Sequence, residues 1–210
     1  MSRTRTRTRT RTTVGCPPAL RFPLPPPPRR MYNPRMATKN LNLKDIKLLV
    51  LDVDGVLTDG RLYFSARGEE MKVFDARDGA GIKYLLRAGV DCAFLTGREG
   101  SVALARAREL GVKHVIGGAK EKEPVLRGLL ESMKLAPAQA AFVGDDLVDL
   151  PPMRIAGWSA CPADAAAEVR EAAAYVASAA GGHGAVREII EHLLKEQGRW
   201  AEIMARYRPQ

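Results

Sequence analysis

The chain reads as an α/β protein built on a doubly wound, Rossmann-like parallel sheet. Two observations predict this class. Short apolar runs recur at 48–53, 91–95, 114–116, 140–143 and 159–161, and patterns of helical spacing fill the gaps between them. The runs are also closed by Gly- or Asp-containing turns, the mark of strands buried on both faces.

The first strand is the run Ile46 to Leu51, closed by Asp52-Val53-Asp54-Gly55. Two alternating segments follow, 61–64 and 69–74, around Ser65-Ala66-Arg67-Gly68, and they read as a β-hairpin. An isolated hairpin is marginal in water. Its apolar residues Leu62, Phe64, Met71 and Phe74 therefore call for a partner surface, most naturally a neighbouring subunit. The hairpin leaves no room for a separate cap domain. Helical patterns then occupy 78–87, 100–110, 123–133, 147–156 and 163–174. Val186, Ile189, Ile190, Leu193 and Leu194 set the apolar stripe of a closing amphipathic helix over 185–207.

Composition sets limits on function. The net charge is +9 in 210 residues, yet residues 1–43 hold ten of the 33 Lys and Arg and no acid. Residues 44–210 keep 23 basic and 24 acidic residues, a net of −1. The folded part thus gives no charge argument for nucleic acid. Residues 1–43, an Arg-Thr repeat and then a proline run, cannot bury a core and read as a disordered basic extension. Their alternation gives no amphipathic stripe for a targeting helix, which favours an upstream extension with Met31 or Met36 as the start. Residues 44–210 form the single domain. Cys16, Cys92 and Cys161 form no CxxC pair, and His114, His183 and His192 show no zinc spacing. This suits a reducing cytoplasm. No run of about 18 apolar residues suggests a membrane span.

The chemistry lies at the strand ends. Asp52 and Asp54 leave the carboxyl end of the first strand, where open α/β sheets build their sites. Their repulsion needs a cation or a shared proton. A calcium loop would want further oxygen ligands, and Val56-Leu57-Thr58 is too apolar for that. The second strand ends in Thr96-Gly97-Arg98, a hydroxyl and Gly that could open a helix and bind an anion, or merely cap it. The loop after the third strand offers Lys120 and Lys122. The fourth ends in Gly144-Asp145-Asp146-Leu147-Val148-Asp149, more acid than capping requires. Asp52 and Asp145 on adjacent strand ends could hold Mg²⁺, which takes a few carboxylates with waters and phosphate oxygens.

Asp-x-Asp-Gly, Thr-Gly, Lys and Gly-Asp-Asp-x-x-Asp, in that order on successive strands, resemble the haloacid dehalogenase superfamily of phosphatases. The segments 51–60, Arg77-Asp78-Gly79-Ala80-Gly81-Ile82, 144–149 and Gly181-Gly182-His183-Gly184-Ala185-Val186-Arg187-Glu188 are similar to its 3-deoxy-D-manno-octulosonate 8-phosphate phosphatases. That family is capless, tetrameric, Mg²⁺-dependent and serves lipopolysaccharide precursor synthesis. The resemblance implies Asp52 as nucleophile forming an aspartyl-phosphate and Asp54 as general acid, then base. It implies Thr96, Gly97 and Lys122 around the phosphoryl group. Mg²⁺ would be held by Asp52, the backbone carbonyl of Asp54, and Asp145. Lys122 fits the family offset better than Lys120. Dense negative charge around Asp54 is expected to favour its protonated form. Arg77 and His183 become candidates for a sugar-acid carboxylate, with His183 standing where Arg is usual. The implied partners are a small sugar-acid phosphate and three further copies of the chain, with no nucleic acid and no membrane.

Four other readings compete. A nine-carbon sugar acid phosphate would suit the same motifs, as would a phosphatase of nucleotide-sugar biosynthesis. A signalling receiver domain also joins acids, Thr and Lys, but its acidic pair precedes the acceptor strand. A regulatory pseudo-phosphatase is disfavoured by the complete acid set.

Overall fold

A computed structural model describes residues 43–208. The expectation for the N-terminal extension therefore lies outside the described residues, apart from Leu43, which opens a 3-10 turn at Leu43–Asp45.

Six parallel strands form the main sheet: β1 (Leu48–Leu51), β4 (Asp91–Leu95), β5 (His114–Ile116), β6 (Ala140–Val143), β7 (Trp158–Cys161) and β8 (Tyr175–Val176). Their spatial order is β5-β4-β1-β6-β7-β8. The order runs outward in both directions from β1, so the topological switch lies between β1 and β6. The helices are α1 (Ala76–Arg87), α2 (Ser101–Leu110), α3 (Lys122–Ser132), α4 (Leu150–Ile155), α5 (Ala167–Ala172), α6 (Ala185–Glu196) and α7 (Trp200–Ala205).

All four β1 residues are buried, and they alternate between two cores. Leu49 and Leu51 face a layer holding Ile82 and Leu85 of α1, Ala107 of α2 and Ile189 of α6. Leu48 and Val50 face Leu126 and Leu130 of α3, Met153 of α4 and Val169 of α5. A strand covered on both faces has no polar side to show, which is why its sequence is continuously apolar.

The hairpin is β2 (Tyr63–Ser65) and β3 (Gly68–Met71), antiparallel and separate from the main sheet. Phe74, just beyond it, packs on the core, whereas Tyr63, Phe64, Met71 and Val73 are exposed. No cap domain occurs among the described residues.

Several expected boundaries shift. β1 ends at Leu51 because Val53 O already accepts from Leu57 N and Thr58 N in the following turn. The helix expected at 147–156 begins as a 3-10 turn at Leu147–Asp149, and α4 starts at Leu150 with Pro151 and Pro152 in its first turn, where no N–H is required. The helix expected at 163–174 contracts to α5, and two-residue β8 follows it. The closing helix breaks after Glu196, with α7 resuming at Trp200. No described helix is long and apolar enough to cross a membrane.

Candidate active site

The carboxyl ends of β1, β4, β5 and β6 converge on a cleft of about 510 Å³. Its lining includes Asp52, Asp54, Thr96, Gly97, Arg98, Lys120, Lys122, Asp145 and Asp146.

Asp52 is the first residue past β1, and its backbone N–H donates to Val143 O of neighbouring β6. That pairing brings Asp52 beside the β6 loop. Lys122 opens α3 and is buried, its ammonium 2.8 Å from Asp52 Oδ1 and 2.7 Å from Asp149 Oδ1. Asp149 Oδ2 accepts from the backbone N–H groups of Asp145 (3.0 Å) and Asp146 (3.3 Å). Asp149 therefore spends both oxygens, one steering Lys122 and one holding the acidic loop. Lys120, by contrast, is exposed at the rim.

Asp52, Asp145 and Asp149 each place one carboxylate oxygen within 4.8 Å of the others. One buried lysine faces three buried or half-buried acids, so the cluster lacks positive charge. Burial first, then the charge of Asp149, outweighs Lys122 and raises the Asp52 carboxyl to about 6. Burial, then Asp52 and Asp149, raises Asp145 to about 8. For Lys122, burial works against its charge, but Asp52 and Asp149 together hold it above the ordinary ammonium value. Asp145 Oδ1 is buried with no hydrogen-bond partner among the described residues. An orphaned carboxylate oxygen amid surplus negative charge fits a hard divalent cation. Since Asp149 is fully engaged, Asp52 and Asp145 are the side chains suited to ligate it.

Asp54 differs from the expectation. The charges at its carboxylate are cationic: Lys72 Nζ donates to Oδ1, and Arg98 Nε lies 3.6 Å from Oδ2. Dense negative charge surrounds Asp52 and Asp145 instead, because they sit on adjacent strands while Asp54 turns toward the hairpin. The turn is stiffened by Thr58, fully buried, whose Oγ1 accepts from Gly55 N and Gly60 N. At Gly55, with φ +89°, an added Cβ would collide with the Asp145 carboxylate. The Gly of Asp-x-Asp-Gly thus lets the two acidic loops approach.

Thr96 is buried on the cleft wall and its Oγ1 accepts from Arg98 N at 3.2 Å. It is not a helix cap, since α2 starts only at Ser101. The helix-terminus anion site expected there does not form, and what remains is a hydroxyl and loop backbone facing the cleft.

Arg77 and His183 are not among the cleft-lining residues. The Arg77 guanidinium pairs with Asp75, the α1 cap, and donates to His183 O at 2.9 Å. Neighbouring Asp78, buried, accepts from Gly184 N and Arg187 N and so caps α6. Within one chain these motifs lock α1 to α6 rather than meet a ligand. A Cβ on Gly181 would strike Gly55 O, so the same glycine-rich turn buttresses the Asp54-Gly55 turn.

Lys72, Arg98, Thr58 and the double role of Asp149 were not marked as site features by the sequence. Asp149 alone had a signal, its place four residues past Asp145. Lys72 and Arg98 reach Asp54 across 18 and 44 residues, a pairing that no local pattern encodes.

A parallel sheet that delivers an acidic pair, a threonine, a lysine and an acid cluster to one edge is the arrangement of haloacid dehalogenase-type phosphatases. No family model matches the chain. Among curated proteins it is 42% identical over 171 residues to the 3-deoxy-D-manno-octulosonate 8-phosphate phosphatase KdsC of Escherichia coli BL21-DE3, covering 81% of this chain and 91% of that one. A probable YrbI family phosphatase from Pseudomonas syringae pv. phaseolica 1448a superposes with TM-score 0.78 at 44% identity, over 80% of this chain and 96% of that one. The Moraxella catarrhalis 3-deoxy-D-manno-octulosonate 8-phosphate phosphatase, solved with magnesium, phosphate and KDO, gives 0.77 at 36% identity, over 80% and 96%. The chain belongs to the 3-deoxy-D-manno-octulosonate 8-phosphate phosphatase family, and is a phosphoric monoester hydrolase.

Proposed function

We propose that the protein hydrolyses 3-deoxy-D-manno-octulosonate 8-phosphate to the free sugar acid and inorganic phosphate, in lipopolysaccharide precursor synthesis. The observation that carries the reaction class is the buried Asp52–Lys122–Asp149 chain beside the orphaned Asp145 oxygen. The substrate reading is supported by the relatives that the chain resembles over most of its length.

The resident cation is Mg²⁺; Asp52 and Asp145 would hold it, with the Asp54 backbone carbonyl as the further ligand the family resemblance implies. When bound, it offsets the charge of the phosphate oxygens near the carboxylates. Asp52 attacks phosphorus, and the bond from phosphorus to the sugar oxygen breaks. Asp54 gives its proton to that departing oxygen. Asp54 then takes a proton from water, whose oxygen attacks phosphorus. The bond to Asp52 breaks, which releases phosphate and restores the Asp52 carboxylate, with Asp54 left protonated for the next turnover. Thr96 Oγ1, Gly97 N–H and Lys122 bind the phosphoryl oxygens through both steps, and Asp149 keeps Lys122 in line. Catalysis here is positioning plus electrostatics.

The enzyme works in the cytoplasm as a homotetramer. The exposed apolar face of the hairpin supports this, since the described residues leave Phe64 and Met71 more than half exposed. A neighbour seated there would also bring its own groups, Arg77 and His183 among them, toward the substrate's carboxylate. Residues 1–43 are an extension that the reaction does not need.

Steady-state phosphate release from a panel of sugar-acid phosphates, with and without chelator, tests the assignment. The expected outcome is highest kcat/KM on the eight-carbon 8-phosphate and loss of turnover on chelation. Preference for a nine-carbon acid phosphate would reassign the substrate.

A further inference from the structure

Asp54 is held from the hairpin as well as from the sheet. Lys72 follows β3 directly, and its side chain is only 4% exposed. Its ammonium donates to Asp54 Oδ1. The hairpin also reaches the other oxygen. Arg98 Cζ lies 5.8 Å from the centroid of the Phe64 ring on β2, and Arg98 Nε is 3.6 Å from Asp54 Oδ2.

This arrangement is costly unless it does something. Removing an ammonium from water is unfavourable by several kcal/mol and is offset only by a well-placed partner. An ion pair meant to fasten a surface hairpin would gain little from exposure or burial. A carboxyl that must meet a departing oxygen and then a water has a stricter need. It must present one oxygen at a fixed place, and an error of about 1 Å can lower the rate ~100-fold. Lys72 occupies Oδ1, which leaves Oδ2 on the side of Arg98, a residue of the cleft wall.

We propose that Lys72 is a positioning residue for the reaction, anchoring Asp54 Oδ1 so that Oδ2 meets the leaving-group oxygen. The hairpin is then part of the catalytic apparatus and not only a contact surface. Anything that packs on Phe64 and Met71 acts on Asp54 through it. This rests on the phosphatase reading with Asp54 as acid and base.

The test compares K72M, D54N and the double variant with the unsubstituted enzyme in Mg²⁺. The readout is single-turnover leaving-group release from two substrates. One is 3-deoxy-D-manno-octulosonate 8-phosphate, whose alkoxide needs a proton. The other is 2,4-dinitrophenyl phosphate, whose phenolate does not. K72M is expected to slow release of the sugar acid by ~30- to 100-fold and of dinitrophenolate by less than ~3-fold, a share of the ~10²- to 10⁴-fold that acid catalysis contributes. In the D54N background K72M is expected to cost less than ~2-fold further, since residues acting as a unit are non-additive. Equal losses on both substrates would mark a structural role or a damaged fold and overturn the proposal. So would losses that multiply in the double variant, or no loss in K72M. Failure of the phosphatase reading is distinguishable, because the unsubstituted chain would then hydrolyse neither compound.

Discussion

Asp149 lies four residues past Asp145 and turns both oxygens inward, toward Lys122 and toward two backbone N–H groups. Asp149→Asn would keep the shape and lose one of the two charges, beside Asp52, that hold Lys122 above its ordinary value. The expected result is a ~100-fold drop in kcat, about 2.7 kcal/mol at the transition state, with the fold retained. Steady-state kinetics beside a denaturant melt check it, and unchanged kcat would show that Lys122 needs no steering. At this scale the sequence was legible wherever a residue's place is tied to a strand end. Asp52, Thr96, Lys122 and Asp145 meet in one cleft because four adjacent strands end together. Lys72 was not legible, because its partner is set by how a hairpin folds back. Arg77 was read from a motif, and within the chain that motif serves the α1–α6 contact.

The α1–α6 contact shows how an element carries the site without touching it. Asp78 of α1 caps α6, and Gly181 in the turn before α6 abuts Gly55. Gly181→Ala would push a methyl into Gly55 O and displace the Asp54 turn. We expect about 2 kcal/mol of destabilisation and a lower kcat, since overpacking typically costs that much. Equilibrium unfolding and kcat measured together test this, and a stable, fully active Gly181→Ala would mean the two turns are independent. The elements themselves were legible in proportion to their length and burial. α6 was, because Val186, Ile189, Ile190, Leu193 and Leu194 are all fully buried on one stripe. β8 was not, because two residues show no period. The continuous closing helix was an overreach across Gly198, where α6 has already ended.

At the scale of the molecule, the acid cluster should make stability depend on pH and metal together. The Asp52 carboxyl at about 6 and the Asp145 carboxyl at about 8 both lie above the 3.8 of an ordinary Asp. The metal-free fold therefore binds these protons more tightly than the unfolded chain. That contribution is complete below about pH 4 and is lost as pH rises through the two folded values. The metal-free melting temperature is expected to fall between about pH 4 and about pH 8. The Mg²⁺-induced rise should grow over the same range, with protons released on binding. Calorimetry in two buffers of different ionisation heat would detect that release, and a pH-independent Mg²⁺ effect would count against a shared site. The exposed hairpin belongs to this scale too. On the proposed homotetramer, replacing Phe64 and Met71 with Asp should convert tetramers to monomers in light scattering and weaken sugar-acid phosphate turnover more than aryl phosphate turnover. A doubly substituted protein that stays tetrameric would move the interface elsewhere.

The central claim is that Asp52 takes the phosphoryl group and Asp54 governs its arrival and departure. It is tested most directly by acid-quenching the D54N protein during turnover of 2,4-dinitrophenyl phosphate with Mg²⁺ and mapping the phosphorylated peptide. Attack on a good leaving group should proceed while hydrolysis of the acyl phosphate stalls, so hydroxylamine-labile phosphate should accumulate on Asp52. Phosphate on any other residue, or continued turnover with Asp52 unlabelled and replaceable by Asn, would contradict the account.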